Sequence, residues 1–119
     1  MIYKQLTGEL LDSNNNVLGK GYAGKDKGKN NPDMQQVKGI GPLPRGKYTI
    51  GKPYDSPHTG VFTIPLTPDI DNEMFGRDEF KIHGDNLNDP GNASEGCIIQ
   101  TRKVRDIVAS SIDKILTVI

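Results

Sequence analysis

Short apolar runs separated by polar stretches set the rhythm of this chain, and few runs are long or regular enough for a helix. Alternation and β-branched or aromatic content predict strands at Ile2–Leu6, Glu9–Leu11, Val17–Tyr22, Lys47–Ile50, Val61–Leu66, Glu79–His83, Cys97–Gln100 and Leu116–Ile119. The turn-rich DSNNN joins the second and third of these as a hairpin. One segment breaks the rhythm: TRKVRDIVASSI places Val104, Ile107, Val108 and Ile112 at helical spacing with Thr101 as N-cap, which predicts a helix over 102–111. The fold class expected is mostly β, a β-rich α+β domain with long loops. KDKGKNNPD, residues 25–33, reads as a polar mobile loop, and no internal repeat is present.

Composition narrows the picture. A chain of 119 residues is long enough for one core, so residues 1–119 are expected to form a single domain. Fourteen glycines and eight prolines punctuate the strands, as a small β domain requires. Fifteen basic and fifteen acidic residues cancel, which argues against a nucleic acid or an anionic membrane as partner. MIYKQLTGEL carries no apolar stretch behind basic residues, so no secretory signal is expected, and no apolar run reaches membrane-spanning length. With one cysteine no internal disulfide forms, and the thiol is either inert filling or chemistry.

Several motifs carry less than their spelling suggests. GKGYAG (19–24) matches G-x-G-x-x-G, but a dinucleotide site needs that loop to open a helix, and KDKGKNNPD is none. The lysines at 20, 25, 27 and 29 read first as a solvated face, with anion contact as the rival. Asn92-Ala93-Ser94 is a glycosylation sequon only in a eukaryotic secretory chain. His58, His83, Cys97, Asp85 and Asp89 lack paired metal-ligand spacing, so no metal or other cofactor is expected. GPLPRGKY (41–48) is a rigid turn entering a strand, and His58 reads as surface; Arg77 is the candidate grip for a substrate carboxylate, because its planar fork suits that group.

The chemistry concentrates around Cys97. Gly96 before it permits close backbone approach, so the amides of Gly96 and Cys97 are an expected oxyanion hole. A free thiol has a pKa near 8.5, so a nucleophilic cysteine needs a base. His83 ends the strand EFKIH, and the loop GDNLNDPGNA returns the chain to Ser94 and Cys97, which offers that base across the loop. The ring calls for a third group to fix its tautomer, and Asp85, Ser94 and a loop carbonyl are the alternatives. Ser94 lies beside a better nucleophile and reads as a brace of the turn.

His83-Gly84, nine residues, then Ser94-x-Gly96-Cys97 followed by Ile98 resembles the active-site signature of the L,D-transpeptidases, cysteine enzymes of peptidoglycan cross-linking. More closely, GPLPRGKYTIG, VFTIPLTPD, MFGRDEFKIHGD and GNASEGCII before a basic helix are similar to the type VI secretion L,D-transpeptidase effectors, over roughly Gly39 to Ile119. Glu95 stands where the wider family often has histidine or lysine, and Ile99 where a basic residue is common, which favours the effector branch. The resemblance implies an L,D-transpeptidase-like β-sandwich with one or two short helices. It implies Cys97 as nucleophile, His83 as general base, and Ser94 and Gly96 as shaping positions. Arg77, Gly84 and Asp85 are the expected substrate-binding positions. The implied substrate is the tetrapeptide stem of peptidoglycan, cleaved before its terminal D-alanine through a thioester. Water as acceptor gives carboxypeptidase trimming; a D-amino acid or a second stem gives exchange or cross-linking.

That activity implies an antibacterial toxin made without a signal peptide and delivered to a competitor's periplasm, with secretion machinery and an immunity protein as partners. A phage or prophage product would look the same. Two rivals stand beside it: a non-catalytic cell-wall or protein-binding module of phage or secretion origin with Cys97 packed, and a metal-dependent peptidase.

Overall fold

The computed structural model describes residues 1–119. In chain order the strands are β1 (Ile2–Tyr3), β2 (Glu9–Leu11), β3 (Val17–Lys20), β4 (Tyr22–Ala23), β5 (Gly46–Ile50), β6 (Tyr54–Ser56), β7 (Gly60–Pro68), β8 (Lys81–His83), β9 (Ile98–Ile99) and β10 (Ile115–Val118). The one α-helix, α1 (Arg102–Ser110), lies between β9 and β10. The fold is mostly β, in agreement with the class read from the sequence.

All ten strands join one hydrogen-bonded sheet in the order β3-β2-β1-β10-β5-β7-β8-β9-β4, with β6 paired to β7. Because β3 and β4 are consecutive in the chain yet stand at the two ends of this order, the sheet folds back on itself. The long β7 serves both halves: Leu66–Pro68 pair with β5, and Ile64 and Pro65 pair with β8. Tyr3, Leu10, Tyr48, Leu116 and Val118 of one half and Ile64, Ile82 and Ile98 of the other belong to a single core cluster, which Val104 and Val108 of α1 complete. The two pairings β1–β10 and β8–β9 are parallel; the rest are antiparallel.

Local causes explain where the expected elements end. Lys4 to Gly8 turn back, with the Gly8 amide bonded to the Lys4 carbonyl, so the first strand stops at Tyr3. The stretch expected as one strand, Val17–Tyr22, splits at Gly21, where a Cβ would lie 1.7 Å from the Ile99 carbonyl oxygen. GKGYAG thus belongs to β3, β4 and the tight crossing between them, with no helix opening after it. KDKGKNNPD holds two 3₁₀ turns, Asp26–Gly28 and Pro32–Met34, tied to the body by the Lys25 amide on Ile40 and the Asn30 amide on Ala23. Tyr54–Ser56 forms a strand that no apolar alternation announces.

The helix begins where its cap dictates: the Thr101 hydroxyl accepts from the Val104 amide at 3.3 Å. Its buried residues are Val104, Arg105 and Val108. Ile112, expected on the apolar face, is fully exposed because α1 ends at Ser110 and the Ser111 amide closes the last turn on Ile107 and Val108. No helix is long and apolar enough to cross a membrane.

Candidate active site

The parallel register of β8 and β9 positions the residues of interest. Ile82 is opposite Ile98 and His83 opposite Ile99. Ile82 and Ile98 are fully buried in the core. Successive side chains alternate across a sheet, so Lys81 and His83 share the other face, and Cys97, one residue before Ile98, joins them. His83 and Cys97 are diagonal neighbours on adjacent strands, and both line a cavity of about 530 Å³ with Lys81, Ser94, Glu95 and Arg77.

The His83 Nδ1 lies 2.9 Å from the Gly84 carbonyl oxygen. A carbonyl can only accept, so Nδ1 carries the proton, and in the neutral ring Nε2 is left as a proton acceptor. Of the three orienting groups the sequence allowed, the loop carbonyl is the one in contact. Burial lowers the His83 pKa below the ordinary imidazole value; the Gly84 bond and Asp85 act against this, while the charges of Arg105 and Lys81 add to it. Gly84 itself lies against the Arg105 guanidinium, where a Cβ would be 2.8 Å from Nη2.

Cys97 is half-buried. Its thiol points to the Glu79 carbonyl oxygen, 3.8 Å away, rather than to the imidazole. Burial raises its pKa, the Lys81 amide and ammonium and Arg77 pull it back, and Glu95 adds to the rise. Both shifts favour the neutral forms, thiol and imidazole, over an ion pair.

The loop before Cys97 is braced from three sides. The buried Ser94 hydroxyl donates to the Cys97 carbonyl (2.6 Å) and accepts from the amides of Gly24 (2.9 Å) and Gly96 (3.0 Å). This corrects the expected oxyanion hole: the Gly96 amide is already bonded, and the Cys97 amide alone has no acceptor within the protein. Arg77 is also reassigned. Its guanidinium is buried and donates to the carbonyls of Gln35, Pro42 (2.9 Å), Gly41 (2.9 Å) and Glu95 (3.2 Å), so four donor contacts are spent on backbone and the fork is not free for a substrate carboxylate.

Gly84 and Asp85 face a second cavity, beside Tyr22 and Arg105. The Asp85 carboxylate accepts from the Tyr22 hydroxyl (2.6 Å) and from the amides of Asn86 (2.9 Å) and Gly91 (3.1 Å), which ties down the loop after β8 instead of reaching the thiol. Side chains capable of holding a metal do not gather: no group of three or more His, Cys, Asp or Glu residues converges.

Two basic residues escaped the reading of the sequence. Lys81 stands two positions before His83 in a strand, so alternation alone would have put it on the same face. Arg105 is buried beside Val104 and Val108 and donates to the carbonyls of Gln100 (3.2 Å), Val61 and Phe62 (2.9 Å each). Its place on the apolar side of α1 was legible from helical spacing, but its charge argued for solvent.

The fold is mostly β, and a cysteine and a histidine open into one of its cavities. Residues 18–114 match the Tlde1 domain, and the chain belongs to that family, the type VI secretion L,D-transpeptidase effectors. Membership of an effector family is consistent with delivery to target cells and with secretion machinery and immunity proteins as partners. Neither curated proteins nor solved structures give a match.

Proposed function

We propose that residues 1–119 act as one catalytic unit, a cysteine acyltransferase or peptidase that cuts the tetrapeptide stem of peptidoglycan, delivered as a toxin to the periplasm of a competing cell. The observation that carries this reading is the shared face of β8 and β9, from which His83 and Cys97 open into one cavity. In the proposed first step His83 Nε2 takes the thiol proton as the sulfur attacks the carbonyl before the terminal D-alanine. The Cys97 amide, free of any protein acceptor, bonds the developing oxyanion. The His83 imidazolium then protonates the departing amine, D-alanine leaves, and the thioester remains on Cys97. Water or a D-amino acid resolves it with His83 again as base.

Attack requires the thiol to leave Glu79 and turn toward the imidazole, a rotation about one side-chain bond. Catalytic hydrogen bonds commonly tighten only when substrate is bound. Purified protein incubated with tetrapeptide muropeptides should release D-alanine, seen by mass, and Cys97→Ala and His83→Ala should lose at least about a hundredfold in rate. Identical profiles for wild type and Cys97→Ala end the proposal and leave a binding module, which the Glu79-bound resting thiol would suit.

A further inference from the structure

Resting on that enzymatic reading, we propose that Lys81 is the residue that recognises the free carboxylate at the end of the stem. The argument begins with the acceptor that Lys81 and Cys97 share. The Lys81 Nζ lies 3.5 Å from the Glu79 carbonyl oxygen, and the Cys97 Sγ lies 3.8 Å from the same atom. Register gives the reason: Ile82 opposite Ile98 puts Lys81 opposite Cys97, on the face that also carries His83. The shared acceptor thereby keeps the ammonium and the reacting sulfur no more than about 7 Å apart.

Bond lengths set where the substrate's charge must fall. In a stem cut before its last residue, the terminal carboxylate is separated from the scissile carbonyl carbon by one amide nitrogen and one Cα, within about 4 Å. A cation that reads that carboxylate must therefore border the thiol. Arg77 also borders the site, but its donors are occupied by backbone carbonyls. Lys25 and Lys38 line the same cavity and add to its positive potential, without any contact to the Glu79 carbonyl.

Lys81 is also available. The carboxylates of Asp78, Glu79 and Glu95 line the cavity, yet the only ion pairs in the molecule are Met1–Asp113 and Arg102–Asp106. Its ammonium makes one long bond to a neutral carbonyl, which a substrate carboxylate would replace with a shorter bond between opposite charges.

The test compares a tetrapeptide stem ending in a carboxylate with the same stem ending in a carboxamide. Wild type is expected to favour the acid by about tenfold in kcat/KM, and Lys81→Met to erase that acid-to-amide ratio whatever it does to the rate common to both stems, while Lys81→Arg keeps most of the ratio. Calorimetry in the Cys97→Ala background repeats the comparison as binding: the acid should bind about tenfold more tightly, and adding Lys81→Met should abolish that gap. A Lys81→Met protein that still distinguishes acid from amide overturns the inference. If wild type and Cys97→Ala process neither stem differently, the enzymatic reading fails, and the binding arm alone decides whether Lys81 reads a carboxylate.

Discussion

Gly96→Ala isolates the brace that holds the cysteine loop. Gly96 has φ +141°, a conformation side chains rarely adopt. An added methyl would lie 2.6 Å from Arg77 Nη2, 2.8 Å from Phe80 Cε1 and 3.2 Å from the Gly41 carbonyl oxygen. The guanidinium cannot swing clear cheaply, because Nη2 donates to Gly41 and Glu95 and Nη1 to Gln35 and Pro42. Giving up one bond from a buried charged donor costs about 1.5–3 kcal/mol, and an unfavourable backbone conformation about 1–3 kcal/mol. The expected destabilisation is about 3–5 kcal/mol. With a urea slope of about 1–3 kcal/mol/M for a small domain, the unfolding midpoint should fall by roughly 2 M at unchanged slope. A midpoint within about 0.3 M of wild type would refute the idea that Arg77 and Gly96 interlock.

Four further outcomes follow from the charges. His83 has a folded pKa below its ordinary value, so the base form survives to lower pH, and the acid limb of kcat/KM should lie below pH 6.5; a limb above that value contradicts the burial argument. The same shift makes the unfolded chain bind the proton first, so this contribution to stability is present above pH 6.5 and lost as pH falls through the folded pKa, and His83→Gln should flatten that part of the stability curve. Because burial holds the free thiol above its usual pKa, iodoacetamide should label Cys97 slowly at neutral pH and faster as pH rises past 9; rapid labelling at pH 7 would instead indicate a preformed ion pair. Arg105→Met leaves the Val61, Phe62 and Gln100 carbonyls without their donor, and should lower stability by about 2–3 kcal/mol in thermal or urea unfolding.

What could be read from the chain divides along the range of the forces involved. The helix was legible because its apolar period and its Thr101 cap are local, as were the apolar centres of β5, β7 and β10. Tyr54–Ser56 was not, since its side chains are exposed or half-exposed and leave no alternation to see. The break at Gly21 depends on the Ile99 carbonyl, nearly eighty positions away, and the grip of Tyr22 on Asp85 spans 63. Arg77 and Arg105 look like solvent residues in sequence, yet each is buried and satisfied by backbone carbonyls that only the folded loops bring together. The same long-range pairing decides whether Cys97 packs in the core or opens into the cavity. For the cysteine to serve as core filling it would need the place held by Ile98, a slip of one residue against β8. That slip would turn Ile98, fully buried beside Ile82, out to the cavity and bring a smaller side chain into the core. Burying an isoleucine is worth about 1.5–3 kcal/mol, and the opposite slip would move His83 inward without a polar partner. The apolar pair Ile82 and Ile98 therefore fixes the register, and through the register it sets the imidazole and the thiol on one face.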